Sequence, residues 1–262
     1  LYVKLLGVTD ILNKYRQNFL KTNDFKDLFP LAYYNTTMEE LKRIKQGEFT
    51  HPREKMEQML AFFDAYEVNR RLWESGKRDA VEEHWNAHFR IAEGKTKDYR
   101  GCLGAAEIEK RSYKYCDEDY FYAVGDVLRS GIDAHVSHDL PRALRFTLNQ
   151  QKSRGITPEA LAGDFNQTNS TLQASSNQTS KEIFRHYKLA QWMDRHTREF
   201  AGGDNLNRVL RLRKKAWEDA VGKNEFKAAS VGSIKIRKLN QNQPNPVDRN
   251  KLKNNGEKKC VY

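Results

Sequence analysis

Gly131-Ile132-Asp133-Ala134-His135-Val136-Ser137-His138-Asp139-Leu140-Pro141 follows one apolar helical run and leads into another. How the chain passes through it decides how the two runs are joined. If the helix continues, His135 and Asp139, four residues apart, project from one face toward one spot. An imidazole and a carboxylate converging in that way make half of a divalent-metal site or an acid/base pair. If the chain instead breaks at Ser137, Asp139 caps a helix that starts near Pro141, and the convergence is lost. A buried His–Asp hydrogen bond tying two helices together is the structural alternative to a functional site.

Working outward, helical periodicity dominates. Thr36 to Gln46 opens with hydroxyl residues suited to capping, places acids early and bases late, and meets Gly47. Pro52 suits the first turn of the next helix, whose apolar positions Met56, Met59, Leu60, Phe63 and Tyr66 recur at three and four until about Glu74, before Gly76. Asp79–Ala92 predicts another helix, broken at Gly94. Further helices are predicted over Ala105–Tyr113, Asp119–Ser130, Leu140–Gln151, Pro158–Ala174, Lys181–Phe200 and Asn205–Val221. No period-2 segment of useful length and no internal repeat occurs. The expectation is an all-α chain: one multi-helix, bundle-like domain over residues 1–228 and a disordered basic tail over 229–262.

The 262 residues carry a formal net charge of +11, and 38% are hydrophobic. From Val231 onward, eight Lys/Arg stand against Asp248 and Glu257, about half of that excess. Nucleic-acid binding is therefore expected only weakly and only through the tail, because the body lacks a strong basic bias. No apolar run approaches the roughly 20 residues needed to cross a bilayer, so no transmembrane segment is expected. Cys102, Cys116 and Cys260 contain no C-x-x-C and read as free thiols. A soluble protein, cytoplasmic rather than secreted, is the expectation. The chain opens without Met, as a longer or processed polypeptide would. The Asn-x-Ser/Thr triplets at Asn35, Asn166, Asn169 and Asn177 mostly crowd one Asn/Ser/Thr/Gln-rich stretch, where composition alone produces them.

Several separated segments together resemble an uncharacterised family of bacterial α-helical proteins, a domain of unknown function. Tyr33 and Thr37 precede Gly47-Glu48-Phe49-Thr50-His51-Pro52-Arg53-Glu54-Lys55-Met56-Glu57, similar to the family's Gly-x-Phe-x-x-Pro-x-x-x-Met-Glu. Gly131, Ala134, His135, Val136, Asp139 and Leu140 meet its central Gly-x-x-Ala-His-[Ile/Val]-x-x-Asp-Leu. Asp164-Phe165 with Asn169 and Leu172 resembles a later segment, and Arg213-Lys214-Lys215-Ala216-Trp217 resembles a final one at approximate spacing. Asp133 departs from the family's usual Asn. The resemblance spans about residues 28 to 220 and implies an α-helical fold but no activity.

Other constellations are weaker. His-x-x-x-Asp-Leu resembles a short string in which zinc-dependent phospholipases C and related nucleases hold zinc, but the rest of that ligand set is missing here. His84 and His88 form a two-point clamp on a helix, beside Trp85 and Phe89, which read as core. Asp164, after Gly163, is a cross-helix metal ligand or a helix N-cap. Tyr113, Tyr115, Tyr120, Phe121 and Tyr122 line a groove or fill the core. Phosphate loops, nucleophile elbows, dinucleotide fingerprints and haem anchors are all missing from the sequence.

The sequence therefore predicts a metal-dependent hydrolase acting on an unidentified small-molecule or ester substrate. A divalent ion such as zinc would be held by His135, Asp139 and Asp164, with Asp133 or His138 as general base. The competing reading is a non-enzymatic α-helical binding or interaction protein whose His–Asp pair is structural.

Overall fold

Helix α3, Pro52–Glu74, has the bounds its sequence predicts: proline sits in its first turn, and Gly76 at φ 76° reverses the chain after it. The computed structural model describes residues 1–99, 116–187 and 204–222. Among them every regular element is helical and none is a strand, as expected. They lie in one compact unit, Leu1–Glu225. Its helices are α1 (Tyr2–Thr22), α2 (Leu28–Lys45), α3, α4 (Glu83–Tyr99), α5 (Cys116–Ala134), α6 (Leu140–Lys152), α7 (Pro158–Tyr187) and α8 (Asp204–Gly222). No helix among the described residues is long and apolar enough to cross a membrane. The predicted helix Ala105–Tyr113, Tyr113 and Tyr115 of the aromatic cluster, Cys102, Cys260 and the tail lie outside the described residues.

Among the predicted helices, α2, α4 and α7 depart furthest from their expected bounds. Helix α2 starts eight residues before Thr36, because Leu28, Phe29 and Leu31 are core residues that bury on helix formation. Thr36 and Thr37 are not caps; their hydroxyls bond back to the carbonyls of Ala32 and Tyr33 at 3.1 and 2.8 Å. Helix α4 begins at Glu83 and runs through Gly94, where nothing lies within 4 Å of a Cβ position and no turn is needed. Helix α7 continues unbroken through the Asn/Ser/Thr-rich stretch.

That stretch stays helical because its hydroxyls form the buried face. Thr168, Thr171, Ser175 and Thr179 recur at three and four and are all buried. Ser175 meets Thr36 Oγ1 at 3.0 Å, and Asn35 donates to Thr179 at 3.1 Å. Helix α2 thus lies between α1 and α7, while α4 packs on α5, and α6 is covered by α3 and α8.

The core is largely aromatic where α2, α3 and α4 meet: Phe29, Phe63, Tyr66, Trp73, Trp85 and Phe89 form one buried cluster. Gly131 lets α5 into it. A Cβ there would lie 2.9 Å from Phe29 atoms, so only glycine permits this approach.

Candidate functional site

Pro141 shapes the site. Proline lacks an N–H and crowds the carbonyl four residues back, so it normally breaks a helix interior. Here the chain widens instead. His135–Asp139 forms a π turn, in which Leu140 N–H bonds to His135 C=O five residues back. Helices α5 and α6 therefore follow one another without a break in helical structure. The break at Ser137 does not occur, and Asp139 makes no side-chain cap.

His135 and Asp139 do converge: Nδ1 lies 2.9 Å from Oδ2, with both side chains buried. Asp139 Oδ2 also accepts from Trp85 Nε1 at 3.0 Å, and its Oδ1 accepts from Arg142 at 2.7 Å. His84 Nε2 stands 3.4 Å from Oδ1. Burial alone would raise the carboxyl pKa. Hydrogen bonds from His135 and His84, and the charge of Arg142, outweigh it and hold Asp139 well below the usual carboxylate range. Asp139 is thus an ionised hub joining α4, the π turn and α6.

In the neutral ring the ionised carboxylate fixes the tautomer of His135: Nδ1 carries the proton and donates it, leaving a lone pair on Nε2. Burial lowers the His135 pKa against the opposing pull of Asp139. Phe62 stacks on it at 3.4 Å between centroids, and Phe29 meets it edge-on at 5.3 Å. Nε2 is buried without a hydrogen-bond partner.

His135 belongs to the wall of a cavity of about 180 Å³. Leu5, Val8, Met59, Phe62, Leu172 and Val209 give the cavity a mainly apolar lining. Its polar side is built by α2, α3, α7 and α8. Lys55 Nζ pairs with Glu40 at 2.6 Å and bonds Thr168 at 2.9 Å, all three buried. Arg213, 5% exposed, donates to Phe165 O at 2.8 Å and Asn169 Oδ1 at 3.2 Å, above the Phe165 ring.

The remaining expected site residues are dispersed. Asp133 lines the same cavity but is held by Arg208 through two bonds of 2.9 and 2.6 Å. His138 is exposed and stacks on His84 at 4.3 Å; burial and the neighbouring His84 lower its pKa. Asp164 does not meet His135. Its two oxygens accept the N–H groups of Thr50 and His51 at 2.8 and 2.6 Å, so it caps the start of α3 from α7.

His84 and His88 diverge: His84 turns to Asp139, whereas His88 is buried with Nδ1 2.8 Å from Ser130 Oγ. Trp85 and Phe89 are core, as expected, at 0% exposure each. A different metal-competent group does assemble. Ligand atoms of Glu82, His84 and Asp139 lie within 4.8 Å of one another. Arg142 already occupies its acidic side, bonding both Glu82 oxygens at 3.0 and 2.6 Å as well as Asp139.

Sequence reasoning passed over Glu40, Lys55 and Arg213. One signal was present: the segments around Phe165–Asn169 and Arg213–Trp217 both belonged to the family resemblance, and they meet at Arg213 and where Trp217 stacks on Phe165 at 4.7 Å.

Residues 115–236 match the family of unknown function DUF5995. The match contains the π turn, Arg142 and Arg213, in keeping with the expected likeness to an uncharacterised family. It starts after α4, so Lys55, His84 and Trp85 fall outside it. No curated protein and no solved structure matches the chain.

Proposed function

We propose that this protein binds a small, largely apolar molecule in the cavity beside His135. One observation carries the reading: a buried imidazole, oriented by Asp139, leaves Nε2 unpartnered among the described residues in the wall of that cavity. Unpaired buried polar atoms are costly and rare, and a ligand hydroxyl or N–H would satisfy this one. Mainly apolar cavities with a few fixed polar groups are what ligand sites consist of. The volume is close to the roughly 150 Å³ engineered cavity that holds benzene, so the occupant is small.

The test is thermal stability of the full chain in a series of primary alcohols from ethanol to octanol. Stabilisation peaking at an intermediate length, and lost in the cavity-filling Leu172→Trp variant, supports the reading. A flat response across the series overturns it.

Metal-dependent hydrolysis is the second reading, and the Glu82–His84–Asp139 group favours it. In that case the ion would polarise an ester oxygen or activate water, with His138 alongside as the base. The Arg142 guanidinium is the electrostatic obstacle, since it already neutralises both carboxylates. Plasma mass spectrometry of protein purified without a histidine tag separates the readings. Stoichiometric zinc or manganese that disappears in His84→Ala supports the hydrolase; metal-free protein that still responds to the alcohols supports ligand binding.

A further inference from the structure

The cavity is not neutral. Lys55, Arg129, Arg208 and Arg213 line it, against only Glu40 and Asp133 as carboxylates. Asp133 is taken by Arg208 and Glu40 by Lys55. Arg129 is exposed, whereas Arg213 is buried. Arg213 is thus a buried guanidinium with no carboxylate in ion-pair range among the described residues. Its Nε and Nη2 reach only a side-chain amide oxygen and a backbone carbonyl, and Nη1 has no hydrogen-bond partner among the described residues. Burial pushes its pKa down to about 10, with Glu40 pulling the other way. A buried charge left without a counter-ion is expensive, and such charges are normally paired.

We infer that the ligand of this cavity is a small amphipathic monocarboxylate, its acid group completing Arg213 and its apolar body filling the space beside Phe62, Met59 and Leu172. This deepens the ligand-binding reading above and rests on it. A monoanion is favoured over a phosphate ester because the lining is mainly apolar and Arg213 is its one buried cation without a carboxylate partner among the described residues. Its Nε–H and one Nη2–H are engaged, and the N–H groups of Nη1 remain for the carboxylate. Arg129, exposed in the lining, draws the same charge inward.

The experiment is calorimetric titration of the full chain with linear monocarboxylates from acetate to decanoate, each beside its primary amide. The acid that fits best should bind at least tenfold more tightly than its amide. Arg213→Gln should abolish that preference, Arg213→Lys should keep part of it, and Leu172→Trp should abolish binding of both series. Acids and amides binding equally would overturn the carboxylate assignment while leaving the cavity reading intact. A tenfold preference that persists in Arg213→Gln would also overturn it, since another cation would then hold the acid. Failure of every acid, amide and alcohol to bind would overturn both.

Discussion

Two arginines are almost wholly removed from water, and they are treated in opposite ways. Arg70, 3% exposed, bonds Asp27 at 2.7 Å, Glu74 at 2.6 Å and the carbonyl of Lys26 at 2.9 Å. Asp27, fully buried, is bonded by Asn18 as well. Arg213, 5% exposed, has neutral acceptors and an aromatic face in place of a carboxylate. The first guanidinium joins α3 to the turn between α1 and α2 and is complete as it stands. The second leaves an N–H unused beside a cavity. The contrast separates a charge built for cohesion from one built for a partner.

The largest expected effect breaks the first of these. Asp27→Ala leaves Arg70 buried and short of its main counter-ion, and should cost about 3–5 kcal/mol by urea unfolding. Arg213→Met removes a charge that has no counter-ion to strand, so the ligand-free protein should lose no more than about 1 kcal/mol. Comparable losses at the two sites would mean that Arg213 is structural after all.

Next comes Asp139→Asn, at about 3 kcal/mol, because the charge that gathers His135, Trp85 and Arg142 is lost inside the protein. The pH dependence follows from linkage. Asp139 is held well below its unfolded value near 4, so the unfolded chain takes up the proton first as pH falls. Its contribution is present above pH 4 and is lost progressively below it. The variant should flatten that part of the stability curve.

His88 acts in a higher window. Burial lowers its pKa to about 3 from 6.5, and Arg70 adds to the shift. Below pH 6.5 the unfolded chain gains the proton that the folded chain refuses, so stability declines from 6.5 toward 3. His88→Gln should remove part of that decline, while Asp139→Asn should leave it in place. Identical acid limbs in the two variants would show that the two groups titrate as one.

Much of the fold was legible because its periodicity is written in hydrocarbon. Helix α3 shows Met59, Phe63 and Tyr66 at helical spacing and a proline at its start, and its bounds follow. The convergence of His135 on Asp139 was legible too, since any continuing helix brings them together. What the chain does at Pro141 was not legible: a proline there is compatible with a break at Ser137 or with a π turn, and the turn seen sets His135 against Phe62 and Phe29. Gly131 shows the same dependence on tertiary contacts. Its glycine is required by the Phe29 ring, and Gly131→Ala should cost about 1–3 kcal/mol through overpacking, as read by thermal melts. The cavity was hidden for a related reason. Its polar residues come from helices far apart in sequence, and Lys55, Glu40 and Arg213 look like ordinary surface charges until the helices meet.

Helix α7 gives the smallest and most discriminating test of how the sequence was misread. Its buried face consists of hydroxyls, so a search for apolar spacing sees only a polar stretch and divides the helix in two. If the hydroxyls act as matched pairs, removing both partners should cost little more than removing one. Ser175→Ala alone leaves Thr36 Oγ1 with its bond to Ala32 O but without its partner on α7, and Thr36→Val alone leaves Ser175 Oγ with only its bond to Leu172 O. Each should cost about 1 kcal/mol, and the double variant should be nearly as stable as either single one. Strict additivity in that cycle would instead make the hydroxyls independent helix-surface groups, and the α2–α7 contact would owe its cohesion to neighbouring core residues alone.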